Sequence, residues 1–135
     1  MGQRFLIDTC AVIKYLNNQF PSDAISFMDA LVDDDSNVSF ITKIELLVWN
    51  PPNLNDIKIV EEFLAGSEIH FINDDIIMRA IQIKKETRIK LPDAIIAATA
   101  MVNNFILLSD NDKDFLKVKP LGLNYINPKT SFNVI

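Results

Sequence analysis

Along the chain, short runs of consecutive apolar residues alternate with longer stretches in which apolar residues return every three or four positions. Runs of the first kind suit strands buried on both faces, and stretches of the second kind suit helices with one apolar side. Phe5-Leu6-Ile7 opens the series as a strand that ends at Asp8 and Thr9, residue types suited to a helix N-terminus. Cys10 to Asn17 is predicted as a helix, with Val12, Ile13 and Leu16 in helical spacing; Asn17-Asn18 and Pro21 mark a loop. Ser22 or Asp23 caps a second helix with Ile25, Phe27, Met28 and Leu31 on its apolar side, ended by Asp33-Asp34-Asp35.

Val38 to Ile41 reads as a second strand. Thr42, with Glu45 three residues on, matches the Thr-x-x-Glu capping box ahead of Leu46, Leu47 and Val48, which puts Glu45 in the first turn of a helix. Pro51-Pro52 stops that helix. Asn55 or Asp56 starts the next one, with Ile59, Val60, Phe63 and Leu64 inward and Gly66 at its C-terminus. Ile69 to Ile72 is a third strand, and Asn73 or Asp74 begins a helix through Ile76, Ile77, Ala80 and Ile83. Pro92 marks a helix start that places Asp93 in the first turn, where the helix dipole favours a negative charge. Phe105 to Leu108 is the clearest buried strand, followed by a polar turn from Ser109 to Asp114, and Leu123 to Ile126 adds a short last strand.

This alternation predicts an α/β fold with a mostly parallel central sheet covered by helices on both faces, as a single domain over residues 1–135. A chain of this length buries ~65–70 % of the surface that its unfolded form exposes. With 49 % apolar residues and only three glycines, disorder and low complexity are excluded. No apolar run nears the ~20 residues that span a bilayer, so no membrane partner is expected. Cys10 stands alone and cannot form an internal disulfide, and the opening residues carry no signal-peptide pattern; both fit a cytoplasmic protein.

The candidate chemistry lies in acids at element boundaries: Asp8, Glu45, Asp93 and the stretch from Asp110 to Asp114. Ligands of parallel sheets bind outside the carboxyl ends of the strands, a rule that sets Asp8 and the 109–114 turn on one rim, with Glu45 and Asp93 able to point at it. An apolar strand ending in a carboxylate is a costly place for a charge unless water, a donor or a cation compensates it, and Mg²⁺ and Mn²⁺ prefer oxygen ligands and bind substrate phosphates. Taken singly, Asp8 reads as a helix cap, Glu45 as half of a capping box and Asp93 as an ordinary first-turn acid. Their combination carries the functional reading. The net charge of −5 disfavours unspecific nucleic-acid binding, but metal-loaded carboxylates present positive potential to a phosphate. Basic residues cluster at Lys84, Lys85, Arg88 and Lys90 and at Lys113, Lys117 and Lys119, as solvated faces or as phosphate contacts. His70, between Ile69 and Phe71, reads as a packed or surface residue, and Cys10 as a small packed one.

Four blocks in order resemble the PIN domain nucleases, and most closely the VapC-type toxins of toxin–antitoxin pairs: Phe5-Leu6-Ile7-Asp8-Thr9, Ile41-Thr42-Lys43-Ile44-Glu45-Leu46, Leu91-Pro92-Asp93-Ala94-Ile95-Ile96-Ala97-Ala98-Thr99-Ala100, and Leu107-Leu108-Ser109-Asp110-Asn111-Asp112-Lys113-Asp114-Phe115. Asn124 to Pro128 is similar to the family's closing segment. The resemblance implies a three-layer α/β/α fold and Mg²⁺- or Mn²⁺-dependent cleavage of RNA phosphodiesters. It implies Asp8, Glu45, Asp93 and Asp114 as catalytic acids, with Asp110 and Asp112 as neighbours of Asp114 able to serve instead. Asp8 and Asp93 would bind metal directly, Asp114 and Asp112 would serve a second ion, and Glu45 would act through water. Thr9 and Ser109 would orient carboxylates or water, Ser109 replacing the family's usual threonine. A cognate antitoxin and a homodimer are further implications. Two residues depart from the pattern: Cys10 stands where asparagine is frequent, and Trp49 where glycine is.

Other classes fit less well. Dehalogenase-type phosphatases need a second aspartate two residues after the first, where this chain has Cys10, and receiver domains need an acidic pair that is missing. A catalytically inactive PIN-fold interaction module is the alternative from a non-enzymatic class, and the survival of all four acidic positions argues against it.

Overall fold

The computed structural model describes residues 2–49, 51 and 53–131. Strand β1 (Phe5–Ile7) is buried throughout and feeds helix α1 (Thr9–Leu16). Helix α2 (Ser22–Asp35) leads to strand β2 (Asn37–Ser39), helices α3 (Phe40–Val48) and α4 (Leu54–Ala65), and strand β3 (Glu68–His70). Helices α5 (Asp74–Glu86) and α6 (Leu91–Val102) form a closely packed pair ahead of strand β4 (Ile106–Leu108). Helix α7 (Asp112–Phe115), a 3-10 turn (Lys119–Leu121), strand β5 (Tyr125–Ile126) and helix α8 (Pro128–Ser131) complete the described chain.

Every ladder is parallel. β4 lies between β1 and β5, with Leu6 opposite Leu107 and Leu108 opposite Ile126. β2 pairs with β3, Val38 opposite Ile69. The two pieces lie side by side: Asn37 Nδ2 donates to Phe5 O at 3.3 Å, and Arg4 holds both Asp35 and Asn37 across the seam. His70 Nε2 meets Asn37 Oδ1 at 2.9 Å, and its ring lies edge-on to Phe105, a packed polar residue as its neighbours suggested.

Alternation along the strands divides the core in two. Leu6 and Leu107 pack on one face with Ile76, Ile83 and the small residues of α6, while Phe5, Ile7 and Leu108 pack on the other with Val12, Met28, Leu46 and Phe63. The result is the expected three-layer α/β/α arrangement. Ala94, Ala97, Ala98 and Ala100 are buried, because their small side chains let α6 approach the sheet closely.

Several boundaries differ from the sequence reading. The second strand stops at Ser39, whose side chain accepts from the Ile41 backbone N–H at 3.1 Å and so starts the helix early. Thr42 is then a buried residue inside α3, and Glu45 lies in mid-helix, so no Thr42–Glu45 capping box forms. Asn53, not Asn55 or Asp56, caps α4; Asn73 caps α5. Helix α2 begins without a side-chain cap from Ser22 or Asp23. Phe71 and Ile72 lie beyond β3, and Ile59, expected inward, is exposed. The polar turn after β4 contains α7, capped by Asn111. Pro52 of the expected helix stop lies outside the described residues.

Candidate metal and nuclease site

Asp8 is the residue at which buried β1 becomes α1. Its backbone holds the N-cap geometry, but its side chain makes no capping bond. The carboxylate instead turns into the fold, where Oδ2 accepts from Ser109 Oγ at 2.7 Å and from Cys10 Sγ at 3.1 Å. Ser109 is the first residue after β4, the strand beside β1, so the parallel ladder itself brings donor and acceptor together. Burial pushes the Asp8 carboxyl above the usual carboxylate range, and the bonds from Ser109 and Cys10 oppose that rise. Burial also pushes the Cys10 thiol up to about 12, which keeps it a neutral donor.

Asp93 occupies the first turn of α6, half-buried. Its carboxyl is raised to about 6, first by burial and then by the charges of Asp8, Asp114 and Glu45, with Lys90 acting in the opposite sense. One carboxyl therefore feels three others from three different elements, and the acids distant in sequence do converge around Asp93. Glu45 arrives from the exposed side of α3 and accepts from Thr9 Oγ1 at 2.5 Å, while Thr9 Oγ1 also stands 3.0 Å from the buried Thr42 Oγ1. Asp114 sits in α7, its Oδ2 accepting from Asn111 Nδ2 at 3.1 Å.

The other two acids of the turn have partners elsewhere. Asp110 pairs with Lys14 and accepts from Asn127 Nδ2 at 3.0 Å. Asp112 accepts from the Tyr125 hydroxyl at 2.6 Å and from Asn127 Nδ2 at 3.1 Å, bonds that hold its carboxyl below the usual range. Asp8, Glu45, Asp93 and Asp110 line an open cleft of about 840 Å³, one wall of which is apolar and formed by Ile13, Ile44, Val48 and Trp49.

The sequence reading assigned no role in the cleft to this wall, to Thr42 or to the Cys10 thiol. Cys10 was legible only as a small residue; its bond to Asp8 depends on the turn from strand to helix. Lys14 and Asp110 are 96 positions apart, and no local pattern announces their pairing.

The donor set is chemically suited to a hard divalent cation. Its oxygens come from carboxylates of which two are raised by burial, and the ion pairs of Arg4 with Asp35 and of Lys14 with Asp110 leave both cations engaged outside the four. Among the described residues no group of three or more Asp, Glu, His or Cys side chains is placed to hold a metal ion. Mg²⁺ is commonly held by one or two carboxylates with water completing its shell, which this arrangement permits. Among the described residues no helix is long and apolar enough to cross a membrane.

The family model described as PIN domain matches residues 5–120. No curated protein matches the chain in sequence. Among solved structures, a toxin–antitoxin complex from Klebsiella pneumoniae is similar at a TM-score of 0.72 and 26 % identity, covering 92 % of this chain and 97 % of that one. DNA-bound VapBC from Salmonella typhimurium is similar at a TM-score of 0.77 and 20 % identity, covering 94 % and 99 %. VapBC-1 from nontypeable Haemophilus influenzae gives 0.73 and 20 %, covering 93 % and 98 %. The family match runs from β1 past α7 and includes all four converging acids, and the chain belongs to the PIN domain family.

Proposed function

We propose that this protein is a Mg²⁺- or Mn²⁺-dependent endoribonuclease, the toxin of a VapC-type toxin–antitoxin pair, with Asp8, Glu45, Asp93 and Asp114 as its acidic site. The observation that carries the proposal is the meeting of Asp8, Glu45 and Asp93 in one cleft at the strand ends, where burial and the charges of Asp8, Asp114 and Glu45 raise the Asp93 carboxyl to about 6. Carboxylates placed at a cost to one another are a feature of functional sites. Membership of the PIN domain family supports the reading, as does the likeness in fold to toxin–antitoxin complexes.

Asp8 and Asp93 would hold the ion directly; Asp114 would serve a second, with Asp112 beside it. Bound there, the metal supplies Lewis acidity to the scissile phosphate and lowers the pKa of a coordinated water. Ser109 and Cys10 fix Asp8 Oδ2, so the carboxylate is oriented before any ligand arrives. Thr9 fixes Glu45, which orients the attacking water and accepts its proton. Lys90, next to the start of α6, contributes positive potential beside Asp93 that would favour an RNA phosphate there.

The apolar wall of Ile13, Ile44, Val48 and Trp49 beside the acids suits an antitoxin segment that buries apolar side chains there and presents Arg or Lys to the carboxylates. The protein would act in the cytoplasm as a homodimer. Cleavage of mixed cellular RNA by the purified, antitoxin-free protein tests the proposal, with Mg²⁺, Mn²⁺ or EDTA and with Asp93→Asn alongside. Metal-dependent cleavage lost in the variant is the expected result. Folded, metal-binding protein that cleaves nothing would favour the inactive interaction module, and equal cleavage by both forms would assign the activity to a contaminant.

A further inference from the structure

Trp49, one of the two residues at which the chain departs from the family pattern, stands at the edge of the acidic cleft. It follows α3 directly, and its backbone N–H donates to Glu45 O at 3.0 Å, so the last turn of the helix sets Glu45, Val48 and Trp49 on one side. The indole is partly buried against the core cluster that contains Leu46 and Val60, which fixes its place, and it still lines the cleft. Beside it Ile44 and Val48 are 53 and 75 % exposed, an open apolar surface next to a carboxylate.

The two walls of the cleft match the two halves of a nucleotide. The acids with their metal take a phosphate, whereas a flat aromatic ring among aliphatic neighbours offers a phosphate nothing and offers a base a stacking surface. The chain carries a net charge of −5, and Lys14, which reaches Asp110 at the cleft, is engaged by it, so phosphate contacts alone supply little affinity. A base inside a duplex has its faces covered by neighbouring bases and cannot meet the ring; an unpaired base can.

We infer that Trp49 is the substrate-selecting residue of the cleft, its indole stacking on an unpaired base next to the scissile phosphate. The inference rests on the nuclease reading proposed above and concerns the antitoxin-free protein, since a segment on the apolar wall would cover the ring.

Trp49 is the sole tryptophan of the chain, so tryptophan emission reports on this ring. Glu45→Gln, which keeps Asp8 and Asp93 but lacks the proton acceptor, is titrated in Mg²⁺ with a short unstructured RNA, with the same RNA paired to its complement, and with an abasic strand of equal length. Binding is followed in parallel by the anisotropy of a dye on the RNA. The expected result is saturable quenching by the unpaired RNA and none by the duplex or the abasic strand. In cleavage assays Trp49→Leu is expected to raise KM about tenfold with kcat within a few-fold of wild type and an unchanged circular dichroism spectrum, and Trp49→Phe to recover most of the loss. Should Trp49→Leu not fold, the emission titration decides by itself. Unpaired RNA that binds without quenching, equal quenching by the duplex or the abasic strand, or an unchanged KM in folded Trp49→Leu would overturn the inference and leave the nuclease reading standing. A wild type that cleaves no RNA, together with a Glu45→Gln form that binds none, would overturn both.

Discussion

Ser109 Oγ donates to Asp8 Oδ2 at 2.7 Å, a bond between residues 101 positions apart that the pairing of β1 with β4 places at the floor of the cleft. A buried carboxylate that loses a donor bears much of the resulting desolvation itself. Ser109→Ala removes that donor and also the acceptor of the Asn111 backbone N–H, at 3.2 Å. We expect Ser109→Ala to lose about 1–3 kcal/mol of stability at neutral pH by urea denaturation, with Ser109→Thr recovering most of it. Because Ser109 lowers the Asp8 pKa, its removal raises that pKa further, and the deficit narrows as acid neutralises Asp8.

Asp93 sets a stability slope of definite sign. Its folded value, about 6, lies above the ordinary 3.8, so the native state holds the proton more tightly than the unfolded chain does. Stability is therefore lost as pH rises through that window and is recovered below it. Asp93→Asn removes this contribution; Asp8, raised in the same sense, keeps a residual slope. In EDTA, thermal melts are expected to show Asp93→Asn more stable than wild type at pH 7.5, by roughly 3–5 °C, and level with it near pH 4. A variant less stable at both pH values would remove the case for strain at this position.

The same acids predict a metal response. Mg²⁺ or Mn²⁺ added at pH 7.5 is expected to raise the melting temperature of the wild type, and to do so much less for Asp93→Asn or Asp8→Asn, since a ligand that binds only the native state stabilises it by mass action. Equal shifts in all three proteins would place the bound metal elsewhere.

The layers and the parallel order were legible in the sequence because β1 and β4 are short apolar runs set among helical stretches, and Asp8 and Asp93 because each borders an element with a clear start. Glu45 was found with the wrong local structure. Thr42 and Glu45 have capping-box spacing, but Ser39 lies upstream and takes the Ile41 N–H first, so the helix begins three residues before the box. Residues placed only by tertiary packing stayed hidden: the Cys10 thiol against Asp8, Thr42 beneath Thr9, and Lys14 across from Asp110. The early start is itself testable. Ser39→Ala should cost about 1 kcal/mol in urea denaturation, the usual effect of losing an N-cap. A neutral result would mean that the helix start is set by packing of Phe40 and Ile41 instead.

For the fourth acid the sequence offered three candidates, Asp110, Asp112 and Asp114, and they differ in their partners. Asp110 is engaged by Lys14 and Asn127, and Asp112 by Tyr125 and Asn127, so both bind the turn to α1 or to the closing segment. Asp114 alone of the three acts on the Asp93 carboxyl, from a helix capped by Asn111 and anchored by buried Phe115. If cleavage depends on charge at the metal, Asp114→Asn should reduce it by roughly 10–100-fold with little change in folding. Asp112→Asn should instead lower stability through the Tyr125 and Asn127 bonds and leave cleavage per folded molecule within a few-fold of wild type. The reverse pattern, with Asp112→Asn inactive and Asp114→Asn active, would mean that substrate or metal binding rebuilds the turn and frees Asp112 from Tyr125, and the fourth position would pass to it.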